Sequence, residues 1–304
     1  MMSAFFVWLR IAKYEFKKNT EYLLFILSWC ASAVLIYYAG ELKQYSMDVL
    51  AGGLFILYLY NQKRLIETVS IKRHALILAA LSSLILFSYA AFFFFFMPLY
   101  NFWKLSRRQK SAFRLFIILL VFLSIFCFLS YRYDVRLRDT TTLLREWKDY
   151  FVSYGSVEVF FQTWGEGTNN LFSRWFVERP KILKKIGLSF VAFGFLYMFI
   201  GFFKNIRREQ FFVQSLATIP FVVYVELFIM GSLHQYPFTV PRTSLFFCPV
   251  VLFLTVKAME RLKDVYRPAG TILMSLYFCF TFFIALALTK ISFAGELTFR
   301  PILW

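Results

Sequence analysis

Acidic and other charged residues are scarce in this sequence of 304 residues. Asp and Glu number 17, half of the 34 Lys and Arg, and charged residues make up only 17% of the chain. Hydrophobic residues account for 60% and aromatic residues for 22%, whereas an average soluble protein has roughly 45–50% apolar residues. The shortage of charge therefore argues against a soluble globular protein.

Cysteines and catalytic motifs are also few. All four cysteines, Cys30, Cys127, Cys248 and Cys279, lie inside apolar runs, so neither a disulfide framework nor a metal cluster follows from them. His234 has no His, Cys, Asp or Glu partner at metal-ligand spacing. The sequence contains no Walker loop, dinucleotide fingerprint, metalloprotease motif or nucleophile elbow. We therefore expect no metal ion and no cofactor.

The net charge of +17 has two readings. In a polar protein it would suggest a nucleic-acid partner. In a chain this apolar, an excess of Lys and Arg marks the cytoplasmic loops of a membrane protein. We therefore expect membrane lipids as partners and no nucleic acid.

Apolar runs predict the membrane segments. Eight runs stand out, at Tyr22–Tyr38, Val49–Tyr60, Ala75–Trp103, Phe113–Tyr131, Ile186–Phe203, Phe211–Leu233, Thr243–Met259 and Thr271–Leu288. Several are shorter than the roughly 20 residues of a full crossing. Their number and character predict an all-α, polytopic transmembrane helical bundle.

The 29-residue run Ala75–Trp103 has basic clusters on both sides. Splitting it near Phe87–Ala91 into a short helical hairpin keeps both clusters on one face of the membrane and raises the count to about nine segments. Twenty of the 34 Lys and Arg then lie in inner loops and four on short outer segments. This asymmetry predicts an inner-membrane protein with its N-terminus inside and its C-terminus outside.

These segments predict four parts of the chain. Residues 1–131 form an N-terminal membrane part with the hairpin at 75–103, and residues 132–185 form an extracytoplasmic loop. Residues 186–288 form a four-span membrane part, and residues 289–304 form an outer tail.

The first twenty residues are amphipathic and basic, and they lack the small-residue cleavage site of a signal peptide. The segment Phe5–Lys18 predicts a short interfacial helix that leads into the first apolar run.

The most polar stretch at a predicted outer edge is 37–48. Tyr38, Glu41, Tyr45 and Asp48 follow 3, 4, 3 spacing, which places two phenols and two carboxylates on one helical face. Lys43 points elsewhere on that helix. Such a face can bind a sugar hydroxyl or activate an acceptor. Alternatively, it is an interfacial turn with tyrosines at the lipid headgroups and a local ion pair.

A second polar segment, His234–Arg242, connects two of the runs. Two prolines restrict its backbone, and Arg242 either clamps a phosphate with its planar guanidinium or extends towards lipid headgroups. Glu226, inside the preceding run, marks either a functional site or a hydrogen bond to a neighbouring helix.

Together, these two segments resemble a family. The Tyr-Tyr-Ala-Gly-Glu-Leu-Lys-Gln-Tyr-Ser-x-Asp stretch at 37–48 and the Tyr-Pro-(x)4-Arg element at 236–242, followed by an apolar span with Pro249, are similar to bacterial membrane glycosyltransferases of the GT-C superfamily. Protein mannosyltransferase-like and lipopolysaccharide core sugar transferase-like proteins are the most similar groups. The hairpin with Ser88 and Tyr89 and the tail 295–304 fit the same resemblance.

The resemblance implies transfer of a sugar from a polyprenyl-phosphate donor to a glycan, lipid or protein acceptor on the outer face of the membrane. It implies substrate-binding roles for Glu41, Lys43, Tyr45, Asp48, Tyr236 and Arg242. It covers the middle and C-terminal part of the family pattern, without the N-terminal loop that carries the catalytic carboxylate. No catalytic residue is therefore assigned, and we expect a truncated or inactive member, or one whose membrane protein partner supplies the missing part.

Two non-enzymatic readings stand beside this one. A transporter would show inverted repeats and interrupted spans with paired polar residues, and the sequence shows one hairpin and the lone Glu226. An assembly subunit would contact partner helices only, and the missing catalytic loop favours it.

Overall fold

The computed structural model describes residues 1–16, 18–40, 45–134, 136, 145, 147–173, 181–206, 218–237 and 245–293. Within these residues the chain is helical and contains no strand. The predicted all-α class is therefore confirmed.

Twelve α-helices carry the described part of the fold. They are α1 Met2–Glu15, α2 Asn19–Cys30, α3 Ala33–Gly40, α4 Tyr45–Thr68, α5 Ile71–Ser83, α6 Phe96–Ser106, α7 Lys110–Tyr133, α8 Val157–Ser173, α9 Lys181–Ile206, α10 Thr218–Ser232, α11 Cys248–Val265 and α12 Arg267–Phe293. The helices α5 and α6 each pack on α4 and on α7, whereas α11 contacts α2, α9 and α12. A 3-10 turn at Leu245–Phe247 contacts α4 and so joins the two groups.

Among the described residues, three helices are long and apolar enough to cross a membrane: Lys110–Tyr133, Ile182–Lys204 and Arg267–Thr289. Their mean hydropathy is 2.8, 2.1 and 2.2, and only 17–33% of each apolar window is buried inside the protein. On α7, for example, Phe113 and Phe128 are both more than half exposed. Apolar helix surfaces of this extent are typical of contact with lipid. The structure therefore supports a membrane protein, but its described part contains three such helices rather than the nine segments expected.

The 29-residue run at 75–103 consists of two helices and a turn. The helix α5 ends at Ser83, the backbone is extended at Ser88, and a 3-10 helix at Tyr89–Phe94, here called the hairpin turn, leads into α6. At the far end, the rings of His74 on α5 and Phe102 on α6 lie 5.8 Å apart. Because the start of α5 meets the end of α6, the chain reverses direction within this run.

The first helix packs lengthwise against α4. The indole Nε1 of Trp8 donates to the backbone oxygen of Val49, 3.1 Å away, near the start of α4. A Cβ added at Gly53 would lie 2.9 Å from the side chain of Val7. Glu15, at the end of α1, lies in electrostatic contact with Tyr60 further along α4. The two helices therefore run in the same direction.

The interfacial-helix prediction for Phe5–Lys18 is consequently wrong. The inner face of α1 consists of Ala4, Trp8, Ile11 and Ala12, and all four are buried. An amphipathic pattern satisfies protein packing as readily as a membrane surface. The ring of Phe5 also contacts Trp29 on α2 at 5.4 Å, so α1 and α2 are antiparallel, and residue 1 lies at the same end of the bundle as the start of α4.

Buried ion pairs fasten the α1–α2 turn to the end of α11. Lys257 Nζ lies 2.7 Å from Glu260 Oε2 and donates to the backbone oxygen of Glu15 at 2.9 Å. Lys263 Nζ lies 3.5 Å from Oε1 of Glu21, which is fully buried. Charges removed from water are tolerated when they are paired and hydrogen-bonded, so these lysines hold the first two helices against the second group.

We expect Lys257→Met to be strongly destabilising. The substitution leaves Glu260 buried without its cation, and breaking a buried pair in this way costs about 3–5 kcal/mol of unfolding free energy. The measurement is unfolding of the purified protein in detergent. The matched control is Arg261→Met, because Arg261 pairs with Asp264 at 3.8 Å and both side chains are more than half exposed. That exposed pair contributes about 0–1 kcal/mol, and equal losses in the two variants would contradict the prediction.

Candidate functional site

The two polar segments singled out in the sequence meet at the hairpin turn. Asp48, in the first turn of α4, is hydrogen-bonded to Ser88, which precedes the hairpin turn. Within that turn, the ring of Phe93 lies edge-on to Tyr236 with 5.0 Å between ring centroids. Residues far apart in sequence are thus brought to one end of the bundle. We call this region the hairpin junction: residues 45–49, 88–94 and 233–237.

Asp48 fixes the start of the hairpin turn. Its carboxylate is buried, and Oδ1 accepts a hydrogen bond from Ser88 Oγ at 2.6 Å. The backbone N–H of Ala90 also donates to it, while Ser88 Oγ accepts from the N–H of Ala91 at 3.3 Å. The carboxylate therefore satisfies backbone and hydroxyl groups that would otherwise be unpaired where the helix is interrupted.

The charge state of Asp48 reflects its position. Asp48 precedes the apolar run Val49–Tyr60 and lies outside the three membrane-crossing helices. Burial raises the pKa of its carboxyl to about 7, although the hydrogen bonds from Ser88 and Ala90 act in the opposite direction. Removing a carboxylate from water penalises its charged form, so the site holds a carboxyl group that changes protonation near neutral pH.

The hairpin turn is also tied to the end of α7. The hydroxyl of Tyr89 donates a hydrogen bond to the carboxylate of Asp134, the residue that follows α7. With Asp48 on one side and Asp134 on the other, the turn is held by two carboxylates. It therefore has a defined position relative to both α4 and α7.

The end of α10 is capped by a residue in the left-handed region. His234 has φ of 55°. The N–H of Gln235 donates to the Met230 oxygen at 2.9 Å, and that of His234 to the Gly231 oxygen at 3.3 Å. This is the Schellman pattern, which usually has Gly at this position. The His234 ring packs on Phe151 at 5.0 Å, so the cap is stabilised by contacts that glycine lacks.

Only part of the predicted binding set lies in the described structure. Asp48 and Tyr236 are both at the hairpin junction. Tyr45 begins α4, but its side chain is not described. Glu41, Lys43 and Arg242 lie outside the described residues. The predicted helical face of Tyr38, Glu41, Tyr45 and Asp48, and the binding roles of Lys43 and Arg242, therefore remain predictions from the sequence.

The sequence analysis missed a buried polar cluster between α4 and the two helices of the hairpin, α5 and α6. The Tyr58 hydroxyl and His74 Nε2 are 2.9 Å apart, and Asn101 Nδ2 donates to Gln62 Oε1 at 2.7 Å. All four side chains are buried. Hydrogen-bonded polar groups in an apolar bundle specify which helix faces meet, and here they join α4, α5 and α6. In the sequence, this cluster could have been predicted from the polar residues that lie in or beside the apolar runs.

An apolar cavity of about 300 Å³ adjoins the junction. Its lining residues come from the hairpin, α7 and α10: Phe92, Phe93, Phe95, Phe96, Leu99, Leu123, Glu226, Ile229 and Met230. Glu226 is the acidic residue of this lining, and in the described part of the chain its buried Oε2 has no hydrogen-bond partner. The arrangement of the cavity and junction favours binding of a molecule with an apolar part and a polar end.

The described residues include no group of three His, Cys, Asp or Glu side chains that could hold a metal ion. The chemistry available at the junction consists of hydrogen bonding by carboxyl and hydroxyl groups and packing of aromatic rings. These groups can orient a ligand, and they do not by themselves form a catalytic set.

The contact between Asp48 and Ser88 can be tested by a double-mutant cycle. We expect Asp48→Ala and Ser88→Ala each to destabilise the protein and to be non-additive when combined, with a coupling of about 0.5–3 kcal/mol. The measurement is unfolding in detergent for the four proteins of the cycle. Ser83→Ala is the control partner, since Ser83 Oγ bonds its own helix at Ala80. Additivity of Asp48→Ala with Ser88→Ala would contradict the assigned contact.

Comparison with known proteins does not supply a function. No protein-family model matches the chain, and no curated protein or solved structure matches it either. The GT-C resemblance therefore rests on the quoted motifs, and the function remains a matter for proposal.

Proposed function

We propose that this chain is a polytopic protein of the cytoplasmic membrane that takes part in glycosyl transfer. A sugar is transferred from a polyprenyl-phosphate donor to a glycan, lipid or protein acceptor on the outer face. The observation that carries the proposal is the convergence of Asp48 and Tyr236 on one hairpin turn, because these residues belong to the two motifs of the GT-C resemblance.

The chemistry of the two motif segments suits such a substrate. Arg242 and Lys43 belong to the segments that lead to the junction, and cations near a lipid phosphate offset the charge of the leaving group. Glu41 and Tyr45 would hold the glycan through hydrogen bonds. Asp48 acts differently in this proposal: its carboxyl group is used within the protein, so it positions the turn on which Tyr236 packs.

The catalytic carboxylate comes from elsewhere in this proposal. The family carries it in an N-terminal loop that the resemblance does not cover, and in this proposal a membrane protein partner supplies it. The chain would then contribute the donor-binding and acceptor-binding part of a two-component transferase.

The proposed orientation places the hairpin junction on the outer side of the membrane. It keeps the nine predicted segments, which are supported by the asymmetry of Lys and Arg, and adds α1 as a further segment. It therefore differs from the sequence prediction at the N-terminus. Because α1 runs beside α4 in the same direction, residue 1 lies on the outer side and the α1–α2 turn on the inner side.

Labelling of single cysteines tests this orientation. In a variant without Cys30, Cys127, Cys248 and Cys279, we expect a membrane-impermeant maleimide to label a cysteine at exposed Gln235 in intact cells. A cysteine at exposed Arg108, in the α6–α7 turn, should react only after the cells are permeabilised. Labelling of the two positions from the same side would contradict the proposed topology.

An assembly subunit without enzymatic activity is the second candidate. The two carboxylates that hold the hairpin turn, Asp48 and Asp134, are both hydrogen-bonded within the protein. Carboxylates that are hydrogen-bonded within the protein stabilise its fold. A subunit that only holds other proteins together needs such contacts and binds no substrate. A transporter has weaker support, since it rests on Glu226 alone.

A transfer assay distinguishes the transferase from the subunit. The chain, reconstituted alone or with the product of the gene immediately upstream, is supplied with a radiolabelled polyprenyl-phosphate sugar and membrane acceptors. We expect transfer only with the partner, and a decrease of about ten-fold in rate for Tyr236→Ala, which corresponds to about 1.4 kcal/mol of transition-state stabilisation. Tyr14→Ala is the control, because Tyr14 is exposed on α1.

The outcomes separate the candidates. Transfer by the chain alone would contradict the claim that its catalytic carboxylate is missing. Equal rates for Tyr236→Ala and Tyr14→Ala would remove the junction from substrate binding. Absence of transfer in every combination, with the partner still bound, would favour the assembly subunit.

A further inference from the structure

The apolar cavity beside the hairpin junction has the features of a binding site. Its volume of about 300 Å³ is at the lower end of the roughly 300–1,000 Å³ of small-molecule sites. One wall is the phenylalanine-rich hairpin turn with the start of α6, a second is Leu123 on α7, and the third is the face of α10 that carries Glu226 and Met230. Four elements thus form one concave surface that is rich in aromatic side chains.

Glu226 gives this surface a single polar group. It lies midway along α10, an apolar helix of 15 residues. Its Oε2 is buried and has no hydrogen-bond partner among the described residues. A buried polar atom without a partner is energetically costly, and an ionisable residue in an apolar membrane segment marks a functional site by default. A ligand in the cavity that donates a hydrogen bond to the Glu226 carboxyl group would reduce this cost.

The border of the cavity consists of apolar side chains that are exposed. Phe92, Phe96 and Ile229 are 50%, 56% and 48% exposed, and all three line the cavity. The neighbouring α7 is the most apolar of the membrane-crossing helices, with a mean hydropathy of 2.8. A border of this kind faces lipid rather than water, so a ligand enters from the bilayer.

We propose that this cavity binds a neutral lipid with a free hydroxyl group, such as a monoacylglycerol. The hydroxyl donates to the Glu226 carboxyl group, and the hydrocarbon chain lies against Phe92, Phe93 and Phe96. A neutral hydroxyl fits this depth better than an ammonium or phosphate headgroup, because moving a charge into an apolar segment is far more costly. A hydroxyl also donates to a carboxyl oxygen in either protonation state.

Binding involves no change in covalent bonds and does not depend on the proposed sugar transfer. Glu226 and the hydroxyl contribute a single hydrogen bond, and the chain contributes burial of apolar surface. Other occupants are an acyl chain of a bulk phospholipid or a helix of another protein. Neither of these occupants needs to donate a hydrogen bond to Glu226. The experiment therefore tests whether binding depends on a hydroxyl group of the lipid.

The experiment compares 1-oleoylglycerol with methyl oleate, which has the same acyl chain and no hydroxyl group. Each is added to the purified full chain in detergent, and the thermal unfolding midpoint and the bound lipid, by native mass spectrometry, are measured. We expect 1-oleoylglycerol to raise the midpoint by about 3 °C or more and to bind about ten-fold more tightly than methyl oleate.

Three variants identify the site. Glu226→Leu should abolish the difference between the two lipids, whereas Glu226→Gln keeps an acceptor oxygen and should retain it. Met230→Trp, which fills the cavity, should abolish binding of both. The control is Glu158→Leu, because Glu158 is exposed at the start of α8, and it should behave as the wild type.

Two results would overturn the proposal. Equal midpoint shifts with 1-oleoylglycerol and methyl oleate in the wild type would show an acyl-chain site without a role for Glu226. An unchanged preference for 1-oleoylglycerol in both Glu226→Leu and Met230→Trp would place the lipid elsewhere. Neither result depends on sugar transfer, so each is distinguishable from a failure of the proposed function.

Discussion

The carboxyl group of Asp48 allows the chain to reverse direction within an apolar bundle. Where a helix is interrupted, backbone N–H groups lose their partners, and an apolar environment provides no water to replace them. Asp48 accepts from Ser88 and Ala90 at this interruption. The positions of Phe93, of Tyr236 and of one wall of the apolar cavity follow from the turn so formed, and the candidate site is therefore built around this carboxyl group.

The opposite end of the bundle depends on a different arrangement of charges. There, Lys257 and Lys263 join the α1–α2 turn to α11 through Glu15 and Glu21, and Glu260 on α11 pairs with Lys257. Between the two ends, the contacts are largely aromatic and aliphatic. Apolar contacts stabilise the bundle, but they depend little on the relative orientation of the groups that meet. Directional polar contacts near each end therefore set the alignment of the helices, and apolar packing stabilises the alignment so chosen.

Part of this organisation could be predicted from the sequence. Apolar runs predicted helices and a membrane environment, and basic residues on both sides of 75–103 predicted that the run is not a single crossing. The same reasoning failed for Phe5–Lys18, because an amphipathic pattern does not distinguish a face that packs on α4 from one that rests on lipid. It also missed the contacts of Tyr58 with His74 and of Gln62 with Asn101, which join residues distant in sequence.

By itself, the sequence determined the class of protein and the residue types at each end of the bundle, because hydropathy and charge are local properties of the chain. Only the tertiary structure decided their roles. The sequence predicted that Asp48 binds a ligand, and the structure shows that its carboxylate accepts a hydrogen bond from Ser88, 40 residues away. Glu226 was equally consistent with a contact to a neighbouring helix. The structure places it in the lining of a cavity, and its buried Oε2 has no hydrogen-bond partner among the described residues. Whether a polar group in an apolar chain has a partner depends on contacts between distant segments, which composition and spacing do not encode.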